Sequence, residues 1–188
     1  FREDSWVARA LKRGDEDRPG LPILPSLRRI IARNYPGTKL SVSEFNYGLG
    51  KRMPSALALA DALGRYATNG VFMATHWGSL DHLLSESYRL YRAPDVVGGG
   101  FAGRVVALSH QATGVMSAFA ADDGAALRVI VLNRTSHELA VDLGVQRRTF
   151  RHAQGFDMAQ PAFGERIETP SPHESGVRLV LPALSARR

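Results

Sequence analysis

The sequence predicts an α/β segment followed by an all-β segment: the C-terminal portion of a TIM (β/α)8 barrel, then a small antiparallel β-sandwich. Three observations carry this. Residues 21–92 alternate helical and strand patterns, an order that argues for a parallel sheet covered by helices. Beyond residue 103 the pattern is β alone, with turn residues between short apolar runs. Two parallel strands cannot bury their own faces, so the first segment needs neighbouring strands. Residues 1–100 are therefore assigned to about strands seven and eight of a barrel with their helices, and 101–188 to the sandwich. The chain is expected to be a fragment, because it begins with Phe1 rather than Met and Leu181–Ser185 reads as an edge strand cut short.

Each element follows from local pattern. Leu27, Ile30 and Ile31 share one helix face, and Asn34 to Gly37 supply stop signals. Lys39 to Phe45 reads as a strand. Residues 54–69 form a helix with Ser55 as cap, a stripe of Leu59, Leu63 and Tyr66, and Gly70 at its end. Val71 to Thr75 is a short apolar run of the fully buried kind. Asp81 to Tyr91 is a third helix, and residues 93–103, with Gly98 to Gly100, are linker-like. Gly114–Ala121 and Ala125–Asn133 flank Asp122-Asp123-Gly124, a hairpin signal. Leu139–Val145, Thr149–Ala153 and Val177–Leu181 read as further strands.

Composition narrows the function classes. Hydrophobic residues make up 44% and charged residues 22%, an ordinary globular balance. No run approaches about 18 apolar residues, so no membrane partner is expected. With no cysteine, thiol catalysis and zinc–thiolate sites are excluded. The net charge of +6 comes almost wholly from scattered arginines, since only Lys12, Lys39 and Lys51 are lysine. That pattern reflects a codon-level bias. It lacks the basic stripe with interleaved aromatics that nucleic-acid binding requires.

In barrels of this kind chemistry sits at the C-terminal ends of the strands. The residues there are Glu44 to Gly48 and Thr75 to Trp77. Alternation puts Leu40, Val42 and Glu44 on one strand face. Pointing inward, Glu44 is a carboxylate at the barrel mouth; the alternative is a solvated strand-end glutamate. Trp77 suits a platform for a sugar ring, or equally a core position.

The segment from Tyr35 to Tyr91 resembles glycoside hydrolase family 44, a family of endoglucanases and related β-glucanases. The matching features are Tyr35-Pro36-Gly37-Thr38-Lys39-Leu40, Ser43-Glu44-Phe45-Asn46-Tyr47-Gly48, Ala60-Asp61-Ala62-Leu63-Gly64, Gly70 through Trp77, and Leu90-Tyr91-Arg92. Asp4-Ser5-Trp6 fits the approach to the family's seventh strand, and the β-rich tail fits the domain that follows its barrel. The resemblance implies a retaining endo-β-glycanase acting on β-1,4-glucan or a related plant polysaccharide. Glu44 would be the nucleophile, Trp77 would stack on a sugar face, and Asn46 and Tyr47 would line the site. The acid/base glutamate belongs to strand four, upstream of Phe1. A nucleophile must be ionised, so hydrogen bonds or a nearby cation should hold Glu44 as carboxylate. The fragment alone is expected to be inactive. No cofactor or metal is implied for this segment, and a structural calcium stays open for the upstream part. The polymeric substrate implies secretion.

The sequence also departs from the family. Leu49 to Ala56 carries Lys51 and Arg52 where a histidine and small residues are expected, and Gly78-Ser79-Leu80 follows Trp77. The two cations suit an anionic polysaccharide, or are simply solvated. His82, His110, His137, His152 and His173 show no metal-ligand spacing. Asn133-Arg134-Thr135 has the form of a glycosylation sequon and is read as a turn. The alternative function is a non-catalytic carbohydrate-binding or scaffold relative.

Overall fold

The computed structural model describes residues 22–47, 52–92, 100–112, 114–146, 155, 157–158 and 176–188. The strand expected at Thr149–Ala153, and Asp4 to Trp6, Lys51, His152 and His173, lie outside the described residues. The chain forms two compact units, one drawn from Phe1–Phe45 and Arg65–Trp77, the other from Asn46–Gly64 and Gly78–Arg188.

The first unit holds α1 (Ile23–Asn34), β1 (Ser41–Phe45), β2 (Met73–His76) and the last turn of α2 (Met53–Thr68). Leu27, Ile30 and Ile31 of α1 are half-buried, as their shared face predicts. β1 and β2 pair in parallel, with Ser41 opposite Met73, Val42 opposite Ala74 and Phe45 opposite His76. Partners across a parallel pair point to the same side, and successive residues of β2 alternate. Val42, Ala74, Phe45 and His76 therefore share one face. Phe45 is buried there, its ring edge-on to Tyr66 of α2 at 5.3 Å and to His76 at 5.5 Å. Ser41, Met73 and Thr75 share the other face and are exposed.

Two expectations change here. Val71–Thr75 is not a fully buried strand: Phe72 is 63% and Met73 52% exposed. Among the described residues β2 has one hydrogen-bonded neighbour and nothing covers the Ser41–Met73–Thr75 face. The simple alternation of Leu40, Val42 and Glu44 also fails. Between Val42 and Phe45, β1 spends three steps where β2 spends two. That extra residue is a β-bulge, and it breaks the period of two.

Helix α2 starts one residue earlier than expected, and Ser55 is no cap. The Arg52 carbonyl accepts from the amides of Ser55 and Ala56 at 3.0 and 3.3 Å, while Ser55 itself is buried in the first turn. The far end closes as predicted at Gly70, with the Gly70 amide donating to Ala67 and the Val71 amide to Tyr66.

In the second unit α3 (His82–Arg92) is capped by Asp81, whose carboxylate accepts from the Leu84 amide at 3.2 Å. Ser87 and Tyr91, one turn apart on α3, donate their hydroxyls to the carbonyls of Ala56 and Ala60, one turn apart on α2, both at 2.7 Å. Burial, and then the charge of Asp61, push the Tyr91 phenol far above its ordinary range.

The remaining elements are strands. β3 (Arg104–Val106), β4 (Met116–Asp122), β5 (Leu127–Asn133), β7 (Asp157–Met158) and β9 (Ser185–Arg187) form one antiparallel sheet in the order β3-β4-β5-β9-β7. β6 (Leu139–Gly144) and β8 (Gly176–Leu181) form a second antiparallel pair. The large sheet is covered on both faces. Phe119, Ile130 and Leu132 meet Met53, Ala56, Leu57 and Ala60 of α2 and Leu90 and Tyr91 of α3. Met116 and Val131 meet Leu179 and Leu181 of β8. This explains why Val129–Leu132 reads as a continuous apolar run, since a strand buried on both faces has no polar side. One core thus packs residues from both sides of residue 100.

Leu181–Ser185 is not one edge strand. β8 ends at Leu181, Leu184 turns the chain at φ 46°, and β9 enters the large sheet between β5 and β7. β3 and β7, three and two residues long, carried no legible pattern.

Candidate active site

The four candidate residues lie at the C-terminal ends of β1 and β2, or directly after β1. Glu44 is the penultimate residue of β1 and is exposed. Its exposure follows from the bulge. Val42 and Phe45 both take the helix-covered face, so Ser43 and Glu44 together stand opposite Thr75 on the open face. In a regular, unbulged strand of the same sequence, Glu44 would share the half-buried face of Val42. An unpaired carboxylate there would carry a desolvation cost of several kcal/mol.

Trp77 is the first residue after β2 and is 67% exposed. Its amide donates to the Phe45 carbonyl at 2.9 Å, extending the parallel pairing one step beyond His76. The structure thus brings Glu44 and Trp77 to the same end of two adjacent parallel strands. The core reading of Trp77 does not hold among the described residues.

Asn46 and Tyr47 follow β1 directly, and both are exposed, Tyr47 by 43%. Gly78 has φ +99°, and a β-carbon on it would come to 3.3 Å from Asn46 Nδ2. A side chain at position 78 would strain the backbone and press on Asn46. The unusual glycine after Trp77 thus has a local reason.

Among the described residues the Glu44 carboxylate has no hydrogen-bond or ion-pair partner, so the donors or cation expected to hold it ionised are not found there. Arg52 is exposed at the start of α2, a helix with no acidic residue in its first turn. Thr75 is among the strand-end residues the sequence points to, but its place opposite two residues of β1 is not, because a bulge at Ser43 leaves no composition signal. Among the described residues no group of three or more metal-ligating side chains occurs. Asn133 is fully buried and acts as a turn brace. Its Nδ2 donates to the carbonyls of His137, Leu181 and Pro182, and its Oδ1 accepts from Thr135.

Glu44 and Trp77 thus stand at the carboxyl ends of two paired parallel strands, and comparison with known proteins finds the chain similar to carbohydrate-cleaving ones. No protein-family model matches the chain. Endoglucanase A of Paenibacillus lautus is 30% identical over 198 aligned positions, covering 99% of the chain and 27% of that protein. Beta-mannanase/endoglucanase A of Caldicellulosiruptor saccharolyticus is 31% identical over 150 positions, covering 76% of the chain and 11% of that protein. A glycoside hydrolase family 44 endoglucanase from Clostridium acetobutylium superposes with a TM-score of 0.87 at 25% identity, covering 100% of the chain and 37% of that structure. The chain belongs to a glycoside hydrolase family 44-like group. It spans about a quarter of the first of these relatives and little more than a third of the solved one.

Proposed function

We propose that this chain is the C-terminal part of a retaining endo-β-glycanase, and that Glu44 is its nucleophile. The reading rests on one observation above all: Glu44 and Trp77 emerge together at the carboxyl ends of paired parallel strands, where barrel enzymes keep their chemistry. In this reading β1 and β2 are the last two strands of a (β/α)8 barrel, and the two antiparallel sheets are the sandwich domain that follows it. The uncovered face of Ser41, Met73 and Thr75 fits a sheet completed by further strands.

The reaction follows from two carboxyl groups about 5–5.5 Å apart. A Glu44 oxygen attacks the anomeric carbon as the bond to the leaving oxygen breaks. A second carboxylic acid, carried upstream in the longer polypeptide, protonates that oxygen. The same group then takes a proton from water, which attacks the anomeric carbon and releases Glu44 from the ester. Trp77 offers a flat apolar face to the C–H bonds of a pyranose, and Asn46 and Tyr47 offer polar groups at its edge. The chemistry needs no cofactor. The substrate is a β-1,4-glucan or related plant polysaccharide, which a cell meets outside its envelope, so the enzyme is secreted. Among the described residues no helix is long and apolar enough to cross a membrane.

The test is reducing-sugar release by the longer polypeptide, wild type beside Glu44→Gln. Soluble cellulose derivatives, xyloglucan, glucomannan and xylan serve as substrates. The expected result is a loss of about a thousandfold in kcat on the glycan that wild type cleaves best. Unchanged turnover in the variant rules out Glu44 as nucleophile. A folded wild type inactive on all four moves the assignment to a non-catalytic glycan binder.

A further inference from the structure

We infer that the β-bulge at Ser43–Glu44 is the device that sets the attack position of the nucleophile, with Thr75 as the residue it bears upon. The inference rests on the proposed role of Glu44 and extends it to how the carboxylate is held. The register carries the argument. Val42 pairs with Ala74 and Phe45 with His76, so one residue of β2, Thr75, faces two of β1. The anchors on either side are firm. Before the bulge, the Phe72 amide donates to the Leu40 carbonyl at 2.8 Å, and after it the Trp77 amide donates to the Phe45 carbonyl at 2.9 Å. Phe45 is further fixed by edge-on contacts to Tyr66 and His76. The bulge is therefore clamped at both ends, and its slack is confined to Ser43 and Glu44. A regular strand can place either Phe45 against the helix or Val42, not both, when two residues separate them. The bulge resolves this conflict by letting Ser43 and Glu44 share the place opposite Thr75, and so sets where along the strand Glu44 stands. Bulges act in this way near active sites, re-aiming one side chain.

The same register makes the device removable. Deleting Ser43 leaves Val42 opposite Ala74, Glu44 opposite Thr75 and Phe45 opposite His76, so the faces and the Phe45 packing survive. Only the placement of the carboxylate along the strand changes. A misplacement of about 1 Å costs on the order of a hundredfold in rate.

The experiment compares wild type, the Ser43 deletion, Ser43→Ala, Thr75→Gly and Glu44→Gln in the longer polypeptide. Each is assayed for kcat and KM on the best wild-type substrate. Each is also assayed for the rate of covalent trapping by an activated 2-deoxy-2-fluoro glycoside, read by mass spectrometry. Circular dichroism and thermal melting report the fold. The deletion is expected to lower kcat and the trapping rate by about a hundredfold with KM within threefold of wild type. Ser43→Ala, which keeps the residue count, restores most of both. If the deletion does not fold, Thr75→Gly carries the test, with an expected loss in kcat of about tenfold at unchanged KM. A folded deletion with kcat within threefold of wild type overturns the inference, as does Thr75→Gly with wild-type kcat when the deletion is unfolded. Glu44→Gln separates the two claims. If it stays active, the nucleophile assignment falls and this inference with it. If it is dead while the deletion is active, only the positioning role falls.

Discussion

The amide of Trp77 donates to the carbonyl of Phe45 across 2.9 Å, one residue past the end of β2 and one residue past Glu44. This bond couples the position of the exposed indole to the strand that carries the proposed nucleophile. It ties the backbone at Trp77 to the residue that follows Glu44.

Removing the ring should therefore change binding more than chemistry. Trp77→Ala in the longer polypeptide is expected to raise KM on a soluble glucan about tenfold, near 1.4 kcal/mol, with kcat changed less than threefold. Trp77→Phe should recover part of the loss. Steady-state kinetics checks this, and an equal fall in kcat at constant KM would assign Trp77 to the chemical step.

Asn133 should act as a brace and not as a glycan acceptor. Its fully buried amide serves three carbonyls from two turns. Asn133→Ala is expected to destabilise the fold by about 3 kcal/mol, because it strips donors from buried acceptors. Urea unfolding checks the magnitude. Mass spectrometry of protein made in a glycosylating host should find Asn133 unmodified.

Gly64 on α2 is a point of close approach. The Phe119 ring lies where a β-carbon on Gly64 would sit. Alanine gains up to about 1 kcal/mol of helix propensity. The overpacking it forces against a rigid ring costs about 1–3 kcal/mol. Gly64→Ala should thus be destabilising overall, and pairing it with Phe119→Leu should return part of the loss in a double-mutant cycle.

The hairpin tip should carry a pH signature. The Ala126 amide first, and the Arg128 guanidinium at 2.6 Å next, lower the Asp123 carboxyl to about 2. A depressed carboxyl stabilises the fold fully above its unfolded value of about 3.9. That contribution fades as pH falls from about 4 toward 2. The melting-temperature gap between wild type and Asp123→Asn should therefore be constant above pH 5 and close below pH 4. A gap that persists at pH 2 would refute the assignment.

Much of the fold was legible locally. The helix face of Leu27, Ile30 and Ile31, the stop at Gly70 and the Asp122–Gly124 hairpin all follow from patterns within a few residues of each other. The candidates Glu44 and Trp77 were legible because strand ends are, and because the ordered motifs from Tyr35 to Arg92 resemble one family. The buried Ser55, the short strands β3 and β7 and the interior place of β9 were not legible. Each depends on partners far away in the chain, such as Asp122 for Arg104 and Val131 for Arg187.

The sequence by itself determined the order of elements, the parallel pairing of the first segment and the residue types at its strand ends, since propensity and period act over one or two turns. Tertiary structure alone decided which way Glu44 points. Alternation in Lys39 to Phe45 puts Val42 and Glu44 on one face. With Phe45 packed against Tyr66 and His76 and Val42 on the same face, β1 bulges between them, and the carboxylate stands on the open side. The physical reason is that burying an aromatic ring is worth more than keeping one strand regular, and that trade is settled only when the helix is in place.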